Sequence, residues 1–134
     1  MNDQPAQNTF ARSYCASLPE VVLDFPFGQE VEVYKVCEKM FALFGTNRAG
    51  CGSLNLKCDP NEALMLRDLF PAIIPGYHMN KKHWNTVLLD GTLPNKELTR
   101  MIDNSYLLVS AGLTAGKKRG LRLRNAEAEI FVRG

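Results

Sequence analysis

A chain of 134 residues with 46% hydrophobic side chains is sized for one compact domain with a real core, and two domains are disfavoured. The formal charge is only +2, and Lys117 to Gly134 carries six Lys/Arg against two Glu, which leaves 10 cations facing 12 carboxylates in the first 116 residues. A generally basic nucleic-acid binder is therefore excluded, and any such role needs a local patch.

The four cysteines, at positions 15, 37, 51 and 58, make no C-x-x-C pair, and no apolar leader or run of about 18 apolar residues is present. Reduced thiols, a cytoplasmic location and no membrane span are the expectations. After a polar, frayed start over residues 1 to 7, Phe10, Tyr14 and Leu18 recur at helical spacing and Pro19 ends that helix. Phe25-Pro26-Phe27-Gly28 reads as a turn in a loop packed against the core. From Gln29 to Val36 the pattern alternates, with Val31 and Val33 inward and Glu30 and Glu32 outward. Met40 to Phe44 is a continuous apolar run, and Ser53 to Cys58 places Leu54, Leu56 and Cys58 on one face and Asn55 and Lys57 on the other. These three segments predict an antiparallel meander.

Asp59-Pro60-Asn61-Glu62 is a helix start: an acidic N-cap, proline at the first helical position and Glu in capping-box spacing. Ala63, Leu66, Leu69 and Phe70 are its expected buried face, and Pro71 and Pro75 close it. A last helix runs from about Pro94 to Gly112 with Leu98, Met101, Ile102, Leu108 and Val109 near one face. Two readings stay open for the basic extension, residues 114 to 134: an edge strand followed by a short helix or strand, or a partly disordered tail.

Between the last two helices, Gly76 to Val87 holds the only tryptophan, both histidines and the Lys81-Lys82 pair. A hairpin with those lysines at its tip puts His78, Asn80, His83 and Asn85 on one face and Tyr77, Met79, Trp84, Thr86 and Leu88 on the other. Trp84 is then a core residue. The resulting fold class is α+β, two layers, with a five-stranded antiparallel sheet in the order α-βββ-α-ββ-α and helices on one face.

Tyr14-Cys15 with Leu18-Pro19, Phe25-Pro26-Phe27-Gly28, Tyr34-Lys35-Val36, Lys39-Met40-Phe41-Ala42, Leu56-Lys57, Pro75 to Val87, Leu89-Asp90-Gly91 and Ser105 to Val109 resemble, in order and spacing, the MmcQ/YjbR family. The likeness runs from about Phe10 to Leu113, so residues 1–113 form the domain and 114–134 lie beyond it. It departs from the family's pattern at Cys37-Glu38, where glycine-rich sequence is expected. The resemblance implies a two-layer domain like the secretion chaperones and, by likeness to double-wing modules, DNA binding.

From the residues themselves, Lys81 and Lys82 at a wing tip would contact phosphates, His78, Asn80, His83 and Asn85 would supply hydrogen-bonding groups beside them, and Lys35, Lys39 and Lys57 would extend the patch across the open sheet face. Double-stranded DNA is then the partner. The alternative is an adaptor or homodimeric domain that uses the sheet surface for protein contacts. No metal or cofactor is expected, because two histidines without a third ligand do not make a zinc site. No catalytic elbow or phosphate loop is present either, so no enzyme is expected.

Overall fold

The computed structural model describes residues 4–47, 49–76 and 79–133. In chain order the elements are α1 (Gln4–Ser17), β1 (Val21–Asp24), β2 (Glu32–Val36), β3 (Lys39–Thr46), β4 (Gly52–Lys57), α2 (Pro60–Leu69), β5 (Ile73–Pro75), β6 (Trp84–Leu88), α3 (Asn95–Ala111), α4 (Ala115–Arg124) and α5 (Glu129–Arg133). One antiparallel sheet of six strands, rather than five, runs β1-β2-β3-β4-β6-β5. The helices pack on one of its faces.

The extra strand is β1, which the sequence presents only as a lead into the aromatic turn. It pairs with β2 from Val21↔Val36 to Asp24↔Val33, and Phe25 and Phe27 beyond it are exposed rather than packed on the core. In β2 the side chains facing the helices are Tyr34 and Val36, and Glu32 on the same side meets Arg12 of α1 at 2.8 Å. The inward–outward assignment there is therefore the reverse of the expected one. Val33 and its partner Leu43 are buried on the opposite, helix-free side, so both faces of β2 are covered and alternation gives no clear signal.

A bulge marks the β2–β3 ladder, where Tyr34 pairs with Ala42 and Lys35 with Met40. Phe41 is the unpaired residue, and its ring turns into the helix-side core, edge-on to Tyr106 at 5.3 Å. The carbonyl of Phe41 accepts from Ser105 Oγ at 2.6 Å, and that hydroxyl in turn accepts from the Lys57 backbone N–H at 2.9 Å. One α3 side chain thus bridges β3 to β4 where direct pairing stops.

The α2 cap forms as the residues predict: the Asp59 carboxylate accepts from the Asn61 and Glu62 N–H groups, with proline just inside the helix. Ala63 and Leu66 are buried, whereas Leu69 of α2 and Leu108 of α3 point to solvent. At the N-terminus, residues 4–7 are helical, and Gln7, Ala11, Cys15 and Leu18 form the buried stripe while Phe10 and Tyr14 flank it. In the basic extension helix α4 stands where an edge strand was one expectation, the short helix expected after it forms as α5, and Leu121, Ile130 and Phe131 enter the same core as the other helices and the sheet.

Candidate interaction face and wing loop

A hairpin forms, but its first strand is β5, Ile73–Pro75, ahead of the expected Gly76 to Asn80, and its register differs. β5 pairs Ile73↔Val87, Ile74↔Thr86 and Pro75↔Asn85, and Gly76 N–H donates to the Trp84 carbonyl at 2.9 Å. A side chain at Gly76 would meet Trp84 Cβ and its carbonyl oxygen at 2.8 Å, so only glycine lets the two strands approach there. Asn80 organises the return. Its backbone carbonyl accepts from His83 N–H and Trp84 N–H, and its side-chain oxygen accepts from Lys82 N–H. This asparagine-led turn replaces a Lys-Lys tip, which lacks residues suited to positive φ.

The shift changes which side chains meet. Cross-strand partners share a face, and Leu54 and Leu56 in the core carry Val87 and Asn85 with them onto the helix side. Asn85 is fully buried there, accepting from Arg67 Nε at 2.7 Å and donating to the Ala63 carbonyl at 3.4 Å. It is not a surface contact. Trp84, Thr86 and Leu88 turn instead to the helix-free face, beside Lys57, Asn55 and Ser53 respectively. Trp84 is therefore half-buried on the open face and lies outside the core cluster.

Of the other proposed contacts, Lys81 and Lys82 are exposed and form no ion pair among the described residues, and His83 is half-buried. Arg67 of α2, which the sequence reading missed, fixes the loop by donating through Nη2 to the Lys81 and Trp84 carbonyls. Its place four residues after buried Ala63 was the available signal. Lys57 is joined to the loop through its neighbour, because Cys58 N–H donates to the His83 carbonyl at 2.8 Å. Lys35 lies on the open face but is committed to Asp24 at 2.8 Å. Lys39 is the partner of core residue Val36 and sits at the far β2–β3 turn, away from the patch. His78 lies outside the described residues, as does Tyr77.

A concave feature of the open face was not foreseen. A concavity of about 990 Å³ lies over β3, β4 and β6, walled by Phe27, Val31, Leu43, Ile74, Met79 and Leu88. Its polar floor is Ser53, Asn55 and Thr86, with Thr86 Oγ1 donating to Asn55 Oδ1. Glu30 stands at its margin. Among the described residues, no three His, Cys, Asp or Glu side chains stand together as metal ligands. Burial pushes the Cys15 thiol up to about 12 and the Cys58 thiol up to about 11, so neither is an activated nucleophile. Also among the described residues, no helix is long and apolar enough to cross a membrane.

The YjbR family model matches residues 16–108. The chain belongs to the YjbR family. Uncharacterized protein YbdF of Escherichia coli O157:H7 is 37% identical over 120 residues, covering 90% of this chain and 98% of that one. Uncharacterized protein YjbR of Escherichia coli strain K12 is 33% identical over 95 residues, 69% of this chain and 78% of its own. Among solved structures, Deinococcus radiodurans protein DR2400 superposes with a TM-score of 0.74 at 42% identity, over 82% of this chain and 83% of that one. A Pseudomonas syringae protein reaches 0.64 at 30% identity, over 81% of this chain and 99% of its own. The α+β architecture is thus that of the YjbR family, and the function has to be read from the surface.

Proposed function

We propose that this YjbR-family domain is a non-enzymatic interaction module that takes an apolar, acid-bearing segment of a partner protein onto the helix-free face of its sheet. The observation that carries this reading is the concavity of about 990 Å³ with its aliphatic, aromatic and methionine walls. Soluble domains seldom leave so large an apolar hollow without an occupant, and a thioether wall adapts to varied side chains. The charges around it are asymmetric. Glu30 stands at the margin, whereas Lys57 follows Asn55 along β4 towards the Lys81–Lys82 loop. A segment whose carboxylates lie at the Trp84–Lys57 end matches that field, and one with the opposite polarity does not.

A second reading is double-stranded DNA, favoured by one observation: Lys81 and Lys82 project from a loop held by Arg67 and have no ion-pair partner among the described residues. Such lysines suit phosphates, and each one engaged makes binding fall with salt. The supporting patch is smaller than the sequence suggested, since Asn85 is buried, Lys35 is paired and Lys39 lies elsewhere.

One pair of titrations separates the readings. Peptides that alternate apolar residues with Asp or Glu, and basic counterparts of the same pattern, are titrated against the protein, as is a random-sequence duplex at several salt concentrations. The partner reading expects acidic peptides to bind and Phe27→Ser with Met79→Ser to abolish that binding at unchanged melting temperature. Duplex binding with a salt slope that flattens in Lys81→Ala with Lys82→Ala, and no peptide binding, replaces it with the DNA reading.

A further inference from the structure

We propose that the outer edge of β1 is the interface of a two-fold symmetric dimer, in which the β1 strands of two copies pair antiparallel and join two six-stranded sheets into one. β1 is the terminal strand of the sheet and pairs only with β2, so its outward row of backbone groups has no ladder partner among the described residues. Soluble proteins protect such an edge with lysine, proline, a bulge or a covering segment. β1 has none of the first three: it reads Val-Val-Leu-Asp and its ladder with β2 is unbroken.

Nor is it covered. Val22 is 60% and Leu23 44% exposed, followed by Phe25 at 37% and Phe27 at 61%. Val22 and Leu23 lie on the edge itself and Phe25 and Phe27 in the turn that follows it, so four of the ten large apolar side chains that the described residues expose fall within six positions. Isolated exposed apolar groups are ordinary, but a run of them along an unpaired strand is a pairing template.

The flanking charges identify a second copy as the occupant. Glu20 is held by Arg124 at 2.8 and 2.9 Å and by Asn125 at 2.7 Å, while Asp24 is held by Lys35 and by the Phe25 N–H, both at 2.8 Å. The chain's own cations therefore neutralise both acids at the ends of the strand. An antiparallel pair about a two-fold axis keeps opposite residues on the same face, so a residue must meet its own copy at the centre. Centring on Val22 sets valine on valine and Val21 against Leu23, an apolar match along the strand, and leaves the already neutralised acids at its two ends without an unpaired charge facing the copy. Centring on Leu23 would set Asp24 against Val22, an apolar partner for a carboxylate, and is disfavoured.

Phe27 also walls the concavity, but the pairing itself is made by β1, so the proposal stands whether or not the concave face takes a partner. Sedimentation velocity of the full chain over a concentration series tests it. The wild type is expected to approach twice the monomer mass, Val22→Lys to weaken association at least tenfold, and Leu69→Lys, an equally exposed position on α2, to leave it unchanged. Mild oxidation of Val22→Cys is expected to give a disulfide-linked dimer absent from the wild type, since facing Cα atoms in such a pair lie within disulfide reach. A wild type that stays monomeric throughout, a dimer that persists in Val22→Lys with its fold intact, or a Val22→Cys chain that does not cross-link would each overturn the proposal.

Discussion

Ser105 shows how much one buried hydroxyl does in this fold. It is fully buried, donates to the Phe41 carbonyl and accepts from the Lys57 N–H, the two backbone groups left over where the β3 bulge ends the β3–β4 ladder. Ser105→Ala removes one partner from each of two groups and leaves both without a replacement, at about 1 to 3 kcal/mol for each unmet group. We expect it to cost at least about 2 kcal/mol in urea unfolding and Ser105→Thr to retain most of the stability. An alanine variant within about 0.5 kcal/mol of wild type would refute the bridging role. None of this was legible from the residues, because a bulge is specified by tertiary packing of Phe41 on Tyr106 and leaves no local signature. Asn85 escaped for a related reason. Polar character placed it outside, but burial of an amide is inexpensive when Arg67 and the Ala63 carbonyl satisfy it, and those partners lie 18 and 22 residues away.

At the scale of elements, local chemistry was readable wherever one face or one cap decided the outcome. The Leu54, Leu56 and Cys58 alternation and the Asp59 cap both appear as expected. The β2–β3 turn forms as well, with Cys37 and Glu38 both at positive φ, 47° and 69°, where the family pattern leads one to expect glycine. The wing loop was legible in position but not in register, since its turn is set by Asn80 hydrogen bonds and by α2 rather than by the lysines. Arg67 is the test of that statement. Its guanidinium joins buried Asn85 to the carbonyls of Lys81 and Trp84, so one side chain ties a helix to a strand and to the loop entering it. Arg67→Met preserves much of the aliphatic stem and removes these bonds, and we expect a loss of about 1.5 to 3 kcal/mol. Amide exchange should quicken from Lys81 to Trp84 while the β1–β2 ladder at the far edge of the sheet is unaffected. Unchanged exchange in the loop would show that Asn80 alone holds it.

For the molecule as a whole, the open question in the sequence was the basic extension, which lies beyond the residue 108 limit of the family match. Its composition, eight apolar residues and six cations among the 21 from Thr114 to Gly134, conceals a docking face of very few residues: Leu121 from α4 and Ile130 and Phe131 from α5. Phe131 lies 6.0 Å from Tyr106, whose hydroxyl donates to the Pro19 carbonyl at 2.7 Å, and the Arg122 guanidinium stacks over Phe131 at 4.5 Å. Arg124 completes the closure by gripping Glu20, a residue at φ 57°, so the last helices hold the turn that delivers the chain into β1. Truncating a buried leucine removes transfer energy and leaves a cavity, so Leu121→Ala should cost about 2 to 5 kcal/mol in global stability. Leu123 lies two positions away on the same helix at 67% exposure, and its alanine variant should stay within about 0.5 kcal/mol of wild type. Equal, negligible effects at both positions in denaturant unfolding would mean that the extension is an appendage. The expected contrast instead makes residues 115–133 part of the cooperative unit, so that cutting the chain at the family boundary would expose Tyr106 and release the anchor at Glu20.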